Sequence, residues 1–210
     1  MAIKIHGRQL SFYVRTAMLA MSEMNVESEI IEDDMHSPEY LAKVNPFGKH
    51  PAVEFDDFIL YESRAILRYV ATNYGGLHLL GSTPKEKAMV DQWFEVQGCN
   101  FDPPVRSIVL ELYFFPKFEG RVPDVAVVEE NLSKFEKLLN IYDAQLAKTK
   151  YLAGDFYSMA DLAHIPLLHR FVASSGKESL VTSRKHVNAW YETITSRPAW
   201  KKIVEQYPDV

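Results

Sequence analysis

The chain has 210 residues, 47% of them hydrophobic and 24% charged, with a formal net charge of -5. That length and balance fit one large or two small globular domains, and with no long run of Lys or Arg they give no electrostatic footprint for nucleic acid or an anionic membrane surface. The opening "MAIKIHGRQL" lacks the apolar core of a secretory signal, no uncharged apolar run reads as a membrane span, and the single cysteine, Cys99, allows no internal disulfide or dithiol chemistry, so a cytoplasmic setting is expected.

"AIKIHG" predicts a first strand, "YVRTAMLAMSEMN" a helix with apolar positions at helical spacing, and "ESEIIEDD" a second strand. "DMHSPEYLAKVNPFGKHP" reads as a loop, and "AVEFDDFILYE" as two short strands around the turn Asp56-Asp57. "SRAILRYVATNYG" predicts a helix closed by Gly75 and Gly76, where a left-handed cap is expected. Residues 81–87, with Gly81, Ser82, Thr83 and Pro84, read as an inter-domain linker.

Beyond residue 87 strand signals are scarce. "KEKAMVDQWFEVQGCNFDPPVRSIVLELYFFPKF" and "DVAVVEENLSKFEKLLNIYDAQLAKT" carry long helical periodicity, the first interrupted at Pro103-Pro104. In "SMADLAHIPLLHRFV", Ser158 and Asp161 have the spacing of a capping box, a folding device rather than chemistry. Cys99 reads as a small buried hydrophobe. His6, His78, His164, His169 and His186 show no metal-ligand spacing, so no metal is expected.

The segments "NPFGKHPAVE", "LYESRAI", "YLAGDFYSMADLAHIP" and "HVNAWYETITSRPAW", with Ser11 ahead of the first helix, resemble the phi class of soluble, plant-type glutathione transferases almost end to end. The resemblance implies a thioredoxin-like α/β domain over 1–80, a linker over 81–87 and an all-helical domain over 88–210. It also implies glutathione as cosubstrate and a homodimer with one active site per subunit.

Only the thiolate of glutathione is a good nucleophile, so the protein must favour the anion. The family's catalytic serine falls on Ser11, whose hydroxyl can donate to the sulfur while the helix start adds partial positive charge; the competing reading makes Ser11 only a helix cap. Tyr13 is the rival hydroxyl, because other classes use a tyrosine near this strand end, but it lies two residues past the phi position. Phe12 stands where the family commonly has a small polar residue and is expected to narrow the electrophile pocket.

Glutathione, an extended peptide with carboxylates at both ends, needs anion holders there and backbone pairing between them. By resemblance the backbone of His50 pairs with the cysteinyl unit beside a cis Pro51, and His50 replaces the usual Val or Ile. Ser63 receives the glutamyl carboxylate at a helix start and Glu62 meets the ligand's positive end, unless both serve only as caps. His36 aligns with a histidine used at the glycyl carboxylate. The lysine that often follows it is Ser37 here, and Lys49 is the candidate to supply the missing charge.

The hydrophobic substrate site is expected to draw on Tyr113, Phe114 and Phe118 from "ELYFFPKFEG", and on Phe12, Tyr13 and Met35. Serine-assisted conjugation of glutathione to hydrophobic electrophiles, with peroxide reduction as a second outlet, is the leading expectation. A non-catalytic carrier of flavonoid-type ligands is the alternative. A purely structural role has no use for Ser11, Pro51, Glu62 and Ser63 together, and a cysteine-type enzyme would need its thiol near position 11 rather than at Cys99.

Overall fold

The computed structural model describes residues 2–208. In β1 (Ile3–His6) strict alternation sends Ile3 and Ile5 to one face and Lys4 and His6 to the other. β1 pairs in parallel with β2 (Ser28–Ile31) and antiparallel with β3 (Ala52–Glu54), which pairs antiparallel with β4 (Ile59–Tyr61), giving the order β2-β1-β3-β4. Ile5 lies opposite Val53, and both are fully buried.

That apolar face is covered by α1 (Phe12–Glu23) and α3 (Ser63–Asn73), which pack on one another and on the strands through buried Val14, Leu19, Ile66, Leu67 and Val70. The hairpin turn at Asp56-Asp57 is closed by the Phe55 N–H donating to the Phe58 carbonyl at 2.9 Å. Gly75 follows α3 with φ +87°, the left-handed conformation expected there.

On the polar face of the sheet lies a helix where the sequence predicts a loop. Ser37 caps α2 (Pro38–Lys43), its Oγ accepting from the Tyr40 N–H at 3.2 Å, and Pro38 opens the first turn. Serine followed by proline is a start signal, but six residues with one buried side chain carry too little periodicity to read as a helix. Tyr40 is that side chain, edge-on to the His6 ring at 6.3 Å.

The chain forms two compact units. One contains the described residues up to Ser82 together with those from Ser196 onward; the other is Thr83–Thr195. The last helix, α10 (Pro198–Gln206), packs on α1 in the first unit, although the sequence grouped it with the helical half. Its apolar stripe announces a buried face without saying against what. The linker is also shorter than 81–87, because Thr83 and Glu86 form a capping box that opens α4 (Pro84–Val96) at once.

The second unit is helical throughout. Ahead of Pro103-Pro104 the chain takes a wide, π-type turn over Gln97–Phe101 before α5 (Asp102–Val109), because two prolines remove two backbone donors from the helical ladder. Cys99 sits on this turn and is exposed rather than buried. A second π-type run, Leu110–Glu119, ends at Gly120 with φ +65°. After α6 (Val125–Leu146), α7 (Met159–Ser174) is buried without a break from Met159 to Leu168, which makes it the core of this unit. α8 (Ser179–Thr182) and α9 (Lys185–Thr195) complete it.

Asp161 in the first turn of α7 is fully buried. Its Oδ2 accepts from the N–H and hydroxyl of Ser158 at 3.0 and 2.9 Å, and its Oδ1 from the Leu152 N–H and the Trp190 indole at 3.1 and 2.9 Å. Burial raises its carboxyl above the ordinary range, against the pull of these donors. His164 is also buried, with Nδ1 at 2.7 Å from the Ala160 carbonyl and Nε2 at 2.9 Å from the Tyr142 hydroxyl.

Candidate active site

Register brings the expected residues of the first unit to one edge of its sheet. His6, the last residue of β1, pairs with Ile31 on one side and Ala52 on the other, and Ala52 pairs with Tyr61. One step beyond that row the chain leaves β1 toward Ser11, leaves β2 toward Met35 and His36, enters β3 from His50 and Pro51, and leaves β4 into Glu62 and Ser63.

Gly7 allows β1 to turn toward α1 at close range. A Cβ there would overlap Val14 Cγ2 and lie 3.3 Å from His50 Cβ, so only glycine fits between the helix and the cis-proline segment. The Ser11 N–H donates to the Arg8 carbonyl at 2.9 Å, and Ser11 caps α1, its Oγ accepting from the Val14 N–H at 3.4 Å. That bond uses an oxygen lone pair and leaves the hydroxyl proton to donate elsewhere, so capping and anion stabilisation are compatible roles. Buried Arg15 braces the turn, donating from Nε to the Gln9 carbonyl at 2.8 Å and from a terminal nitrogen to the Tyr207 carbonyl at 2.7 Å.

The segment entering β3 is held just as closely. The His50–Pro51 peptide is cis, and the Lys49 carbonyl before it accepts from the Tyr40 hydroxyl and the Asn45 amide, each at 2.8 Å. Gly48 has φ +57°, and a Cβ there would come within 3.2 Å of the Met35 carbonyl and 3.9 Å of His36 Nδ1. The loop carrying Met35 and His36 therefore lies against the residues that precede Lys49. His36 is exposed, its N–H donating to Asp34 Oδ1 at 3.0 Å; Lys49 is exposed and Met35 half-buried.

His50 turns its imidazole inward, edge-on to the Tyr40 ring at 5.6 Å, with Nε2 buried and without a hydrogen-bond partner. Burial lowers its pKa, and the nearby Arg8 lowers it further. Tyr40 is pushed up to about 12 by burial and by Asp33. Arg8 is thus a second cation beside the pairing segment, in addition to Lys49.

Glu62 holds φ +72°, rare for a residue with a side chain, and makes no side-chain cap bond to α3. A cap alone therefore does not account for it. Ser63 is the first residue of α3, where unpaired N–H groups and the helix dipole favour an anion.

The aromatic candidates divide. Phe12 is 7% exposed, its ring committed to packing beside Tyr13 at 4.5 Å, so it does not stand free to shape a pocket; Tyr13 is half-exposed. In the helical unit Tyr113, Phe114 and Phe118 form one cluster, with ring centroids 5.1 to 6.3 Å apart, and the buried Arg170 guanidinium lies 4.8 Å from the Tyr113 ring. Among the described residues no three His, Cys, Asp or Glu side chains are placed to hold a metal, and no helix is long and apolar enough to cross a membrane.

Sequence reasoning passed over His6, Asp33, Tyr40, Asn45 and Arg8. Asn45-Pro46 belongs to the segment "NPFGKHP", but the spacing of His6 speaks only to metal ligation, and nothing local marks Asp33 or Tyr40 as its neighbours.

Comparison with known proteins bears on both units. Residues 5–72 match the family model for the glutathione S-transferase N-terminal domain and residues 105–198 that for the C-terminal domain. Glutathione S-transferase F10 of Arabidopsis thaliana is 40% identical over 200 residues, 92% of each chain. The crystal structure of glutathione transferase F2 from Populus trichocarpa superposes with a TM-score of 0.93 at 35% identity, over 98% of each chain. Glutathione S-transferase I from maize, in complex with an atrazine glutathione conjugate, superposes at 0.92 with 34% identity over the whole of both chains.

Proposed function

Because the chain belongs to the glutathione S-transferase family, in its plant phi class, we propose that Ser11 is the hydroxyl that stabilises the glutathione thiolate for attack on a hydrophobic electrophile. The observation that carries this reading is the shared sheet edge on which Ser11, the cis His50–Pro51 segment and the start of α3 meet. Glutathione lies along that edge. Its cysteinyl unit pairs with the backbone before Pro51, its glutamyl carboxylate rests on Ser63 with Glu62 facing the amine, and its glycyl carboxylate faces His36 and Lys49.

As the thiol loses its proton, the Ser11 hydroxyl donates to sulfur and the first turn of α1 adds partial positive charge. The thiolate attacks an electrophilic carbon, displacing a leaving group or adding to an activated double bond. With an organic hydroperoxide it attacks the terminal oxygen, breaking the O–O bond and releasing the alcohol, and the sulfenic acid left on sulfur condenses with a second glutathione to give glutathione disulfide and water. On the first unit, the apolar contacts for the electrophile are assigned to Tyr13 and Met35. The protein acts in the cytoplasm as a homodimer in detoxification, without a metal. The carrier alternative is not favoured, since the similar proteins reported above are transferases.

An ultraviolet pH titration of bound glutathione tests this. Thiolate absorbance should appear well below the pKa of free glutathione and shift upward in Ser11→Ala. Binding without thiolate formation would refute the reading.

A further inference from the structure

His6 is 5% exposed, yet it stands on the polar face of the sheet. Its two ring nitrogens meet two carboxylates from opposite directions: Nδ1 faces Asp33 Oδ2, and Nε2 lies 2.9 Å from Glu54 Oε1. Lys4 Nζ donates to the other Glu54 oxygen at 3.2 Å, fixing that carboxylate from the solvent side. Asp33 lies three residues before His36, and Glu54 three residues after Pro51. Tyr40, which packs edge-on to both His6 and His50, donates to the Lys49 carbonyl. A single buried ring thus links the loop after β2 to the strand that follows the cis proline.

We propose that His6 is a positioning residue for glutathione: its imidazole sets the spacing between the loop carrying His36 and the His50–Pro51 segment. The inference rests on the reading that these two segments hold glutathione. Asp33 is on an irregular loop, half-exposed, and its side chain is tied down through His6. Without that tie the loop carrying His36 samples positions that cannot reach the glycyl carboxylate, and the cost falls on glutathione binding. Chemistry at Ser11 is untouched, because Ser11 is held by its own bonds, its N–H donating to the Arg8 carbonyl and its Oγ accepting from the Val14 N–H.

The test is steady-state kinetics of His6→Phe, which keeps a ring and loses both links, and of Asp33→Asn, with an activated chloronitrobenzene as electrophile. KM for glutathione should rise about tenfold in each single variant and no further in the double variant. kcat at saturating glutathione and KM for the electrophile should stay within about twofold of the starting protein, and the pKa of the bound thiol should not shift. Unchanged KM for glutathione in folded His6→Phe overturns the inference. So does a loss of kcat together with a rise in both KM values, which marks a purely structural role. If His6→Phe does not fold, Asp33→Asn carries the same comparison. His36→Ala run in parallel separates the premise from the inference. If it leaves KM for glutathione unchanged, the loop is not part of the site and the inference falls with that reading. If it raises KM while His6→Phe does not, only the inference fails.

Discussion

Arg197 donates from Nε and a terminal nitrogen to the two oxygens of Glu23, at 2.6 and 2.7 Å, pinning the start of α10 to the end of α1. The Glu23 side chain is only 7% exposed, so this bidentate pair is shielded from the screening that weakens surface ion pairs. Glu23→Ala should destabilise the chain by about 2 kcal/mol, and Arg197→Ala by a similar amount. The double variant should lose little more than either single one in thermal unfolding. Additive losses would show that the two side chains act separately.

Ser11→Ala should lower kcat/KM about ten- to a thousand-fold, the range for losing one hydrogen bond to a bound anion. Part of the change in stability is loss of the α1 cap, roughly 1 kcal/mol, so unfolding is measured alongside the kinetics. Tyr13→Phe should cost less than about threefold. A larger loss at Tyr13 than at Ser11 would reverse the assignment.

Asp161→Ala leaves four buried donors without an acceptor and should cost at least about 3 kcal/mol in chemical denaturation. Asn is not a rescue. Each carboxylate oxygen accepts two donors, so an amide nitrogen in either position meets two N–H or O–H groups. Asp161→Asn should therefore lose nearly as much as Asp161→Ala, and a loss under about 1 kcal/mol would show that the site relaxes.

His50 predicts a pH dependence of stability. Its pKa is lowered in the folded chain by burial and by Arg8, while Asp33 and Glu32 oppose and His6 adds to the shift. The unfolded chain therefore takes up a proton near pH 6.5 that the folded chain still refuses. Stability is full above that value and is lost as pH falls through it toward the depressed pKa. His50→Val removes the effect. Between about pH 7.5 and pH 5.5 the wild-type melting temperature should fall relative to His50→Val, and parallel curves would contradict the shift.

The parts of this protein legible in its sequence are those written in contiguous residues. The first strand, its helix and the hairpin at Asp56-Asp57 follow from periodicity and turn chemistry, and Ser158 with Asp161 from a three-residue spacing. The cis Pro51 follows only from the family resemblance. What stayed hidden depends on distant partners. His6 meets Asp33 and Glu54 across separations of 27 and 48 residues, which no local pattern records. The same holds for α10, whose apolar face was plain while the surface it covers, on α1, was not. Glu62 was singled out as a ligand contact, but its left-handed backbone breaks the local rule for a residue with a Cβ and was invisible until the hairpin was closed around it.

Because α10 belongs to the first unit, that unit is assembled from segments on either side of the helical unit, which is an insertion within it. On the ribosome the strands and α1 emerge before the helical unit, but the helix that packs on α1 is synthesised after it. At about 5–20 residues per second, the whole intervening helical unit must pass through the exit tunnel before the first can close, a delay on the order of ten seconds. During that interval the flank of α1 that α10 will cover stays open to water. The helical unit, continuous in sequence, has no such wait, so translation order inverts: the second unit to be made is the first that can be completed.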